Sequence, residues 1–134
     1  MRFLSTLLVM LGAISVASAG ITSANCGANY MKSHVDDYTG FTYAIQEMPK
    51  DQTFCVPAKS WKSLFCDSRT SSSVWAENTS DKEWCFSRYT VSIWAENLID
   101  ACTTTLKTNW ISAYAQLDQG PWWIEVGRPQ SQKC

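Results

Sequence analysis

Apolar and polar positions along this chain follow two different periods. The clearest is helical: Val91, Trp94, Ala95, Leu98, Cys102 and Leu106 recur at three- and four-residue spacing, with Arg88, Ser92, Glu96, Asn97 and Asp100 mostly opposite. This predicts a helix through residues 85–102, capped by Thr90 or Ser87 and uninterrupted by glycine or proline. Residues 55–66 predict a second, short helix, with Pro57 in its first turn and Trp61, Leu64 and Phe65 on one face. Two-residue alternation predicts strands at residues 41–48, 71–77, 110–117 and 122–126, the last two forming an antiparallel hairpin across a turn at 118–121. Residues 20–40, punctuated by Gly27, Asp36, Asp37 and Gly40, read as a loop pinned at Cys26. The order strand, helix, strand, helix, strand, strand predicts an α+β fold, an antiparallel sheet with two helices packed on one face.

The first nineteen residues stand outside this pattern. Met1 and Arg2 give a positive end, residues 3–16 an apolar run, and Ala17, Ser18 and Ala19 a small-residue cleavage site. This is the signature of a secretory signal peptide cut before Gly20, and the run is too short for a membrane anchor. Residues 20–134 then form a single extracellular domain of 115 residues. Loss of Arg2 leaves ten basic against twelve acidic residues. That mild acidity, with no lysine or arginine run, argues against nucleic acid as a partner. No later segment is long and apolar enough to span a bilayer.

All six cysteines follow the leader, which in a secreted chain reads as three disulfides in any of fifteen pairings. Each closed loop would stabilise the fold by about 3 kcal/mol. With no Cys-x-x-Cys pair and one histidine, the chain lacks a metal-site pattern, and no cofactor is expected.

Catalytic chemistry finds little support. His34 is the sole histidine base, and a ribonuclease would have to combine it with a glutamate and a basic residue such as Arg69 or Arg88, at no favourable spacing. Glu96 and Asp100 fall on the polar side of the long helix and read as solvated, while Glu77 and Glu83 read as loop charges. Trp122 and Trp123, adjacent in a strand, must point to opposite faces. Asn78-Thr79-Ser80 is an N-glycosylation triplet, making Asn78 a modification candidate. Lys59 and Lys62, three apart on the predicted short helix, would point outward as a cationic contact site for an acidic pocket or pore.

The pattern of cysteines and elements resembles the killer protein 4-like family of fungal killer toxins. The resemblance starts at Asn25-Cys26 and runs through FTYAIQEM, FCVPAKSWKSLFC, SSVWAEN, CFSRYTVSIWAENLIDAC, PWWIEV and the closing Cys134. It implies an α/β sandwich and the pairings Cys26 with Cys102, Cys55 with Cys85 and Cys66 with Cys134. It also implies growth inhibition of competing fungi through blocked calcium uptake, dependent on a basic residue just before the cysteine matching Cys66. Leu64 holds the closest position in this chain, with Lys62 two residues earlier, and the chain is acidic where the family's prototype is basic. The expectation is a secreted, monomeric, non-enzymatic toxin or virulence effector. It would bind a cell-surface or host protein target, a calcium channel among them, with Lys59 and Lys62 as contacts. The alternatives are a non-toxic apoplastic effector that binds a plant protein, and a secreted hydrolase such as a ribonuclease.

Overall fold

The computed structural model describes residues 20–27, 32–117 and 122–127. The proposed leader and Cys134 lie outside the described residues. The strands are β1 (Ile21–Asn25), β2 (Ser33–His34), β3 (Thr53–Val56), β4 (Ser60–Cys66), β5 (Ser73–Asn78), β6 (Trp84–Ser87), β7 (Trp110–Ile111), β8 (Ala113–Leu117) and β9 (Trp122–Gly127). The helices are α1 (Thr39–Gln46) and α2 (Arg88–Leu106). Five strands form one antiparallel sheet in the order β1-β8-β9-β5-β4, and two ribbons, β2-β7 and β3-β6, flank it. The mixed helix and strand content, the number of helices and the antiparallel pairing agree with the pattern read from the sequence, although only the long helix stands where it is expected. The hairpin of β8 and β9 also forms where expected.

α2 is the predicted long helix. Ser87 caps it, its hydroxyl accepting the Thr90 N–H at 3.4 Å. Val91, Ala95, Leu98 and Cys102 are buried as the stripe requires, whereas Leu106 is exposed at the helix end. Ser92, read as polar-side, is instead fully buried, its hydroxyl turned back to the Arg88 carbonyl at 2.8 Å. The helix lies over β8, β9 and β1, against the buried side chains Ala113, Ala115, Ile124 and Val126.

Two expectations are corrected. Residues 41–48 are not a strand: α1 runs Thr39–Gln46 and buries Phe41 and Ile45, one helical turn apart, while Tyr43 is left exposed. Phe41, Tyr43 and Ile45 fit a two-residue period as well, but only the Phe41 and Ile45 pair faces the core, Phe41 meeting Phe65 at 5.4 Å. The 3₁₀ turn Val35–Tyr38 starts the helix, so the stretch read as loop also carries β1, β2 and the start of α1. Residues 55–66 are not a helix either. β3 ends at Val56, the chain reverses through Pro57 to Lys59, which is left-handed (φ 50°), and β4 follows. A bulge at Leu64, between the pairs Ser63 with Trp75 and Phe65 with Val74, imitates helical spacing in the sequence.

Two disulfides close within the described residues. Cys26–Cys102 ties the end of β1 to α2, and Cys55–Cys85 joins directly opposed residues of β3 and β6. Cys66 is not a free thiol; its expected partner, Cys134, lies outside the described residues.

Candidate functional site

Because successive side chains of a strand alternate between faces, the register sorts the sheet into two sides. One side is the buried layer under α2. On the other, Glu77 of β5 stands opposite Trp61 of β4 and Trp123 of β9. One step along the strands, Glu125 of β9 stands opposite Trp75 of β5 and Tyr114 of β8. The outward face of the sheet therefore carries two parallel rows, each an aromatic, a glutamate and an aromatic. Each row spans two strand spacings, about 10 Å. Trp61 is 43% exposed, and the other five side chains are half-buried.

The rings pair between rows. Trp61 and Trp75 lie 4.8 Å apart with planes tilted by 45°, and Tyr114 and Trp123 lie 5.3 Å apart at 53°. Such contacts add about 0.5–1.5 kcal/mol each and hold large apolar groups rigidly beside water. Asn25 extends the face at β1, its amide donating to the Tyr114 hydroxyl at 3.3 Å. The indole N–H of Trp75 is buried without an acceptor among the described residues. Burial first, and the charge of Glu77 second, raise the Glu125 carboxyl above its ordinary range.

The lysine pair expected as a contact is arranged differently. Lys59 sits in the turn before β4, ion-paired with Asp81 at 3.2 Å. Lys62 lies within β4 on the opposite side from Trp61, its ammonium donating to the Cys55 carbonyl at 3.3 Å and lying 5.2 Å from the Phe54 ring centroid. The two are not presented together on a helix. Trp61, expected to face inward, is the exposed residue between them.

Asn78, the glycosylation candidate, is fully buried at the end of β5. Its amide nitrogen contacts the carbonyls of Val56 (3.1 Å), Pro57 (3.1 Å) and Lys82 (2.8 Å), and its oxygen accepts from Ser80 N–H (2.9 Å) and Ser80 Oγ (2.7 Å). The folded chain leaves no place for a glycan on that nitrogen.

The enzyme-type candidates do not converge. His34 uses Nδ1 to accept the Asp36 N–H at 3.3 Å and meets Trp110 edge-on at 5.1 Å. Arg69 forks onto Asp67 in the turn before β5, and Arg88 donates to the Leu64 carbonyl at 3.2 Å. Glu96 and Asp100 line a groove of about 430 Å³ between α1 and α2, with Thr42, Tyr43, Gln46 and Thr103, and among the described residues no histidine or basic side chain lines it. Cys55, Glu83 and Cys85 come together within 4.8 Å, but the two sulfurs are joined, which leaves one carboxylate to hold a metal.

The face itself escapes a segment-by-segment reading of the sequence. Trp75 and Glu77, and Trp123 and Glu125, share parity along their strands, and that is the signal that places them together. Glu77 is a sheet residue, not a loop charge.

Compared with known families, characterised proteins and solved structures, the chain matches none.

Proposed function

We propose that this chain is a secreted, monomeric, non-enzymatic binding protein of toxin or effector type, which docks the outward face of its sheet on a target protein at a cell surface. The observation that carries the reading is the double row of Trp61, Glu77, Trp123 and Trp75, Glu125, Tyr114 on the side of the sheet away from α2. Tryptophan and tyrosine held rigidly on regular structure are among the residues enriched in protein-contact hot spots. Cross-linking by disulfides supports an extracellular setting, and no helix among the described residues is long and apolar enough to cross a membrane. The resemblance to fungal killer toxins supports the toxin form, with an α/β sandwich, a third disulfide between Cys66 and Cys134, and fungal growth as the process inhibited.

The test is growth of fungal hyphae in a titration of oxidised protein, with and without added calcium, beside binding of the labelled protein to those cells. Inhibition relieved by calcium supports a channel-directed toxin, and inhibition unaffected by calcium supports a toxin with another target. Binding to plant cell-wall extracts with no effect on any fungus supports the host-directed effector. Hydrolysis of RNA by the purified protein, lost in His34→Ala, would refute the non-enzymatic reading.

A further inference from the structure

We propose that the aromatic and carboxylate face of the sheet receives arginine or lysine side chains presented by a basic segment of the partner protein. This rests on the reading of that face as the contact surface and names the chemistry it recognises.

Three observations point to a cation. Each glutamate stands between two aromatic residues on neighbouring strands, Glu77 between Trp61 and Trp123, and Glu125 between Trp75 and Tyr114. A ring face is the negative side of the aromatic quadrupole, so a cation inserted there meets a carboxylate and π electrons together. Secondly, among the described residues no lysine or arginine shares this parity on β4, β5, β8 or β9, so those strands supply the carboxylates with no cation. The two glutamates are diagonal neighbours, and their mutual repulsion is felt at Glu125. A bound cation relieves that repulsion. Thirdly, the ring pairs are tilted by 45° and 53° and do not form one flat platform, the surface on which a ribbon of sugar rings stacks. The rings within each pair touch, so a planar guanidinium would lie over the glutamates in the span between the two pairs, against a ring edge or face and paired with a carboxylate at the same time.

The experiment titrates the oxidised protein with an oligo-arginine peptide and, separately, with a neutral oligosaccharide of N-acetylglucosamine, read by calorimetry. The variants are Glu77→Gln with Glu125→Gln, and Glu96→Gln with Asp100→Asn, which removes the same charge from the groove between the helices. The expected result is salt-sensitive binding of the peptide, weakened about ten-fold or more by the first variant and within roughly two-fold of wild type in the second. Equal weakening in both variants would reduce the effect to net charge and overturn the proposal. Binding of the oligosaccharide in place of the peptide would also overturn it. A third variant, Trp61→Ala with Trp123→Ala, separates the two levels. If it loses cell binding while the peptide fails to bind wild type, the ligand class is wrong and the contact face stands; if it keeps full cell binding, the contact face falls with it.

Discussion

Replacing Asn78 by alanine removes a side chain that joins three segments. The amide nitrogen reaches the end of β3 at Val56 and Pro57, and the loop before β6 at Lys82, while the oxygen holds Ser80. Some of these groups have another partner within reach: the Pro57 carbonyl accepts from Ser60 Oγ at 2.8 Å, and the Lys82 carbonyl lies 2.9 Å from Ser80 Oγ, whose single hydrogen is released when the Asn78 oxygen is removed. The Val56 carbonyl and the Ser80 N–H lose their bonds to the Asn78 side chain. At about 0.5–1.5 kcal/mol net for each of the five side-chain contacts removed, with part recovered through these other partners, the substitution costs roughly 3 kcal/mol, a large part of the 5–15 kcal/mol typical of a domain. Asn78→Asp costs at least as much, because a carboxylate cannot donate and would face three carbonyl oxygens. Urea unfolding with disulfides intact, followed by tryptophan fluorescence, should lower the midpoint by roughly 2 M at a slope of about 1.5 kcal/mol/M. The same network requires that folded protein secreted by a glycosylating host be unmodified at Asn78, which intact-mass measurement reads directly. A loss below about 1 kcal/mol, or a folded species carrying a glycan at Asn78, would refute the reasoning.

Other consequences follow from the same geometry. Cys26→Ser with Cys102→Ser opens a link between residues 76 apart and should cost about 4–5 kcal/mol on loop-entropy grounds, measured by thermal unfolding; an unchanged melting temperature would contradict it. The Arg69 fork holds the Asp67 carboxyl at about 2, so its contribution is present above the unfolded value near 4 and lost as pH falls toward 2. Asp67→Asn should therefore flatten the stability profile within that window and leave neutral pH little changed in slope. Glu125 behaves oppositely: its raised pKa means the folded state binds the proton more tightly, so stability falls as pH rises through that range. Glu125→Gln should remove that fall and stabilise the protein at neutral pH while weakening its cationic ligand; a steeper fall would show that the ionised carboxylate has a partner.

The long helix is legible in the sequence because its stripe persists over several turns and its cap is a serine at the expected place. The strands β5, β8 and β9 are legible because small and branched residues alternate with larger polar or aromatic ones. The two short windows mislead for related reasons. In residues 41–48, aromatic content suggests a strand, but burial selects Phe41 and Ile45, and tertiary packing on Phe65 decides for a helix. In residues 55–66, the Leu64 bulge shifts the alternation by one, so an edge strand reads as a helix face. The helix reading also turns Trp61 inward and places Lys59 and Lys62 on one helix face, whereas β4 exposes Trp61 and sets the lysines in the turn and in the strand. The resemblance to the toxin family implies the pairings Cys26 with Cys102 and Cys55 with Cys85, both of which close. The aromatic and carboxylate rows depend on which strand lies beside which, and the order β8-β9-β5-β4 is not written in any one segment.

The most direct test of the central claim compares two double variants in the hyphal growth and cell-binding titrations. Trp61→Ala with Trp123→Ala strips the sheet face, and Lys59→Ala with Lys62→Ala strips the lysine pair, each protein first shown folded by its disulfides and near-ultraviolet circular dichroism. The tryptophan variant should lose binding and activity while the lysine variant keeps both. Full activity in the tryptophan variant, with loss in the lysine variant, would contradict the sheet-face contact and return it to Lys59 in the turn before β4 and Lys62 within that strand.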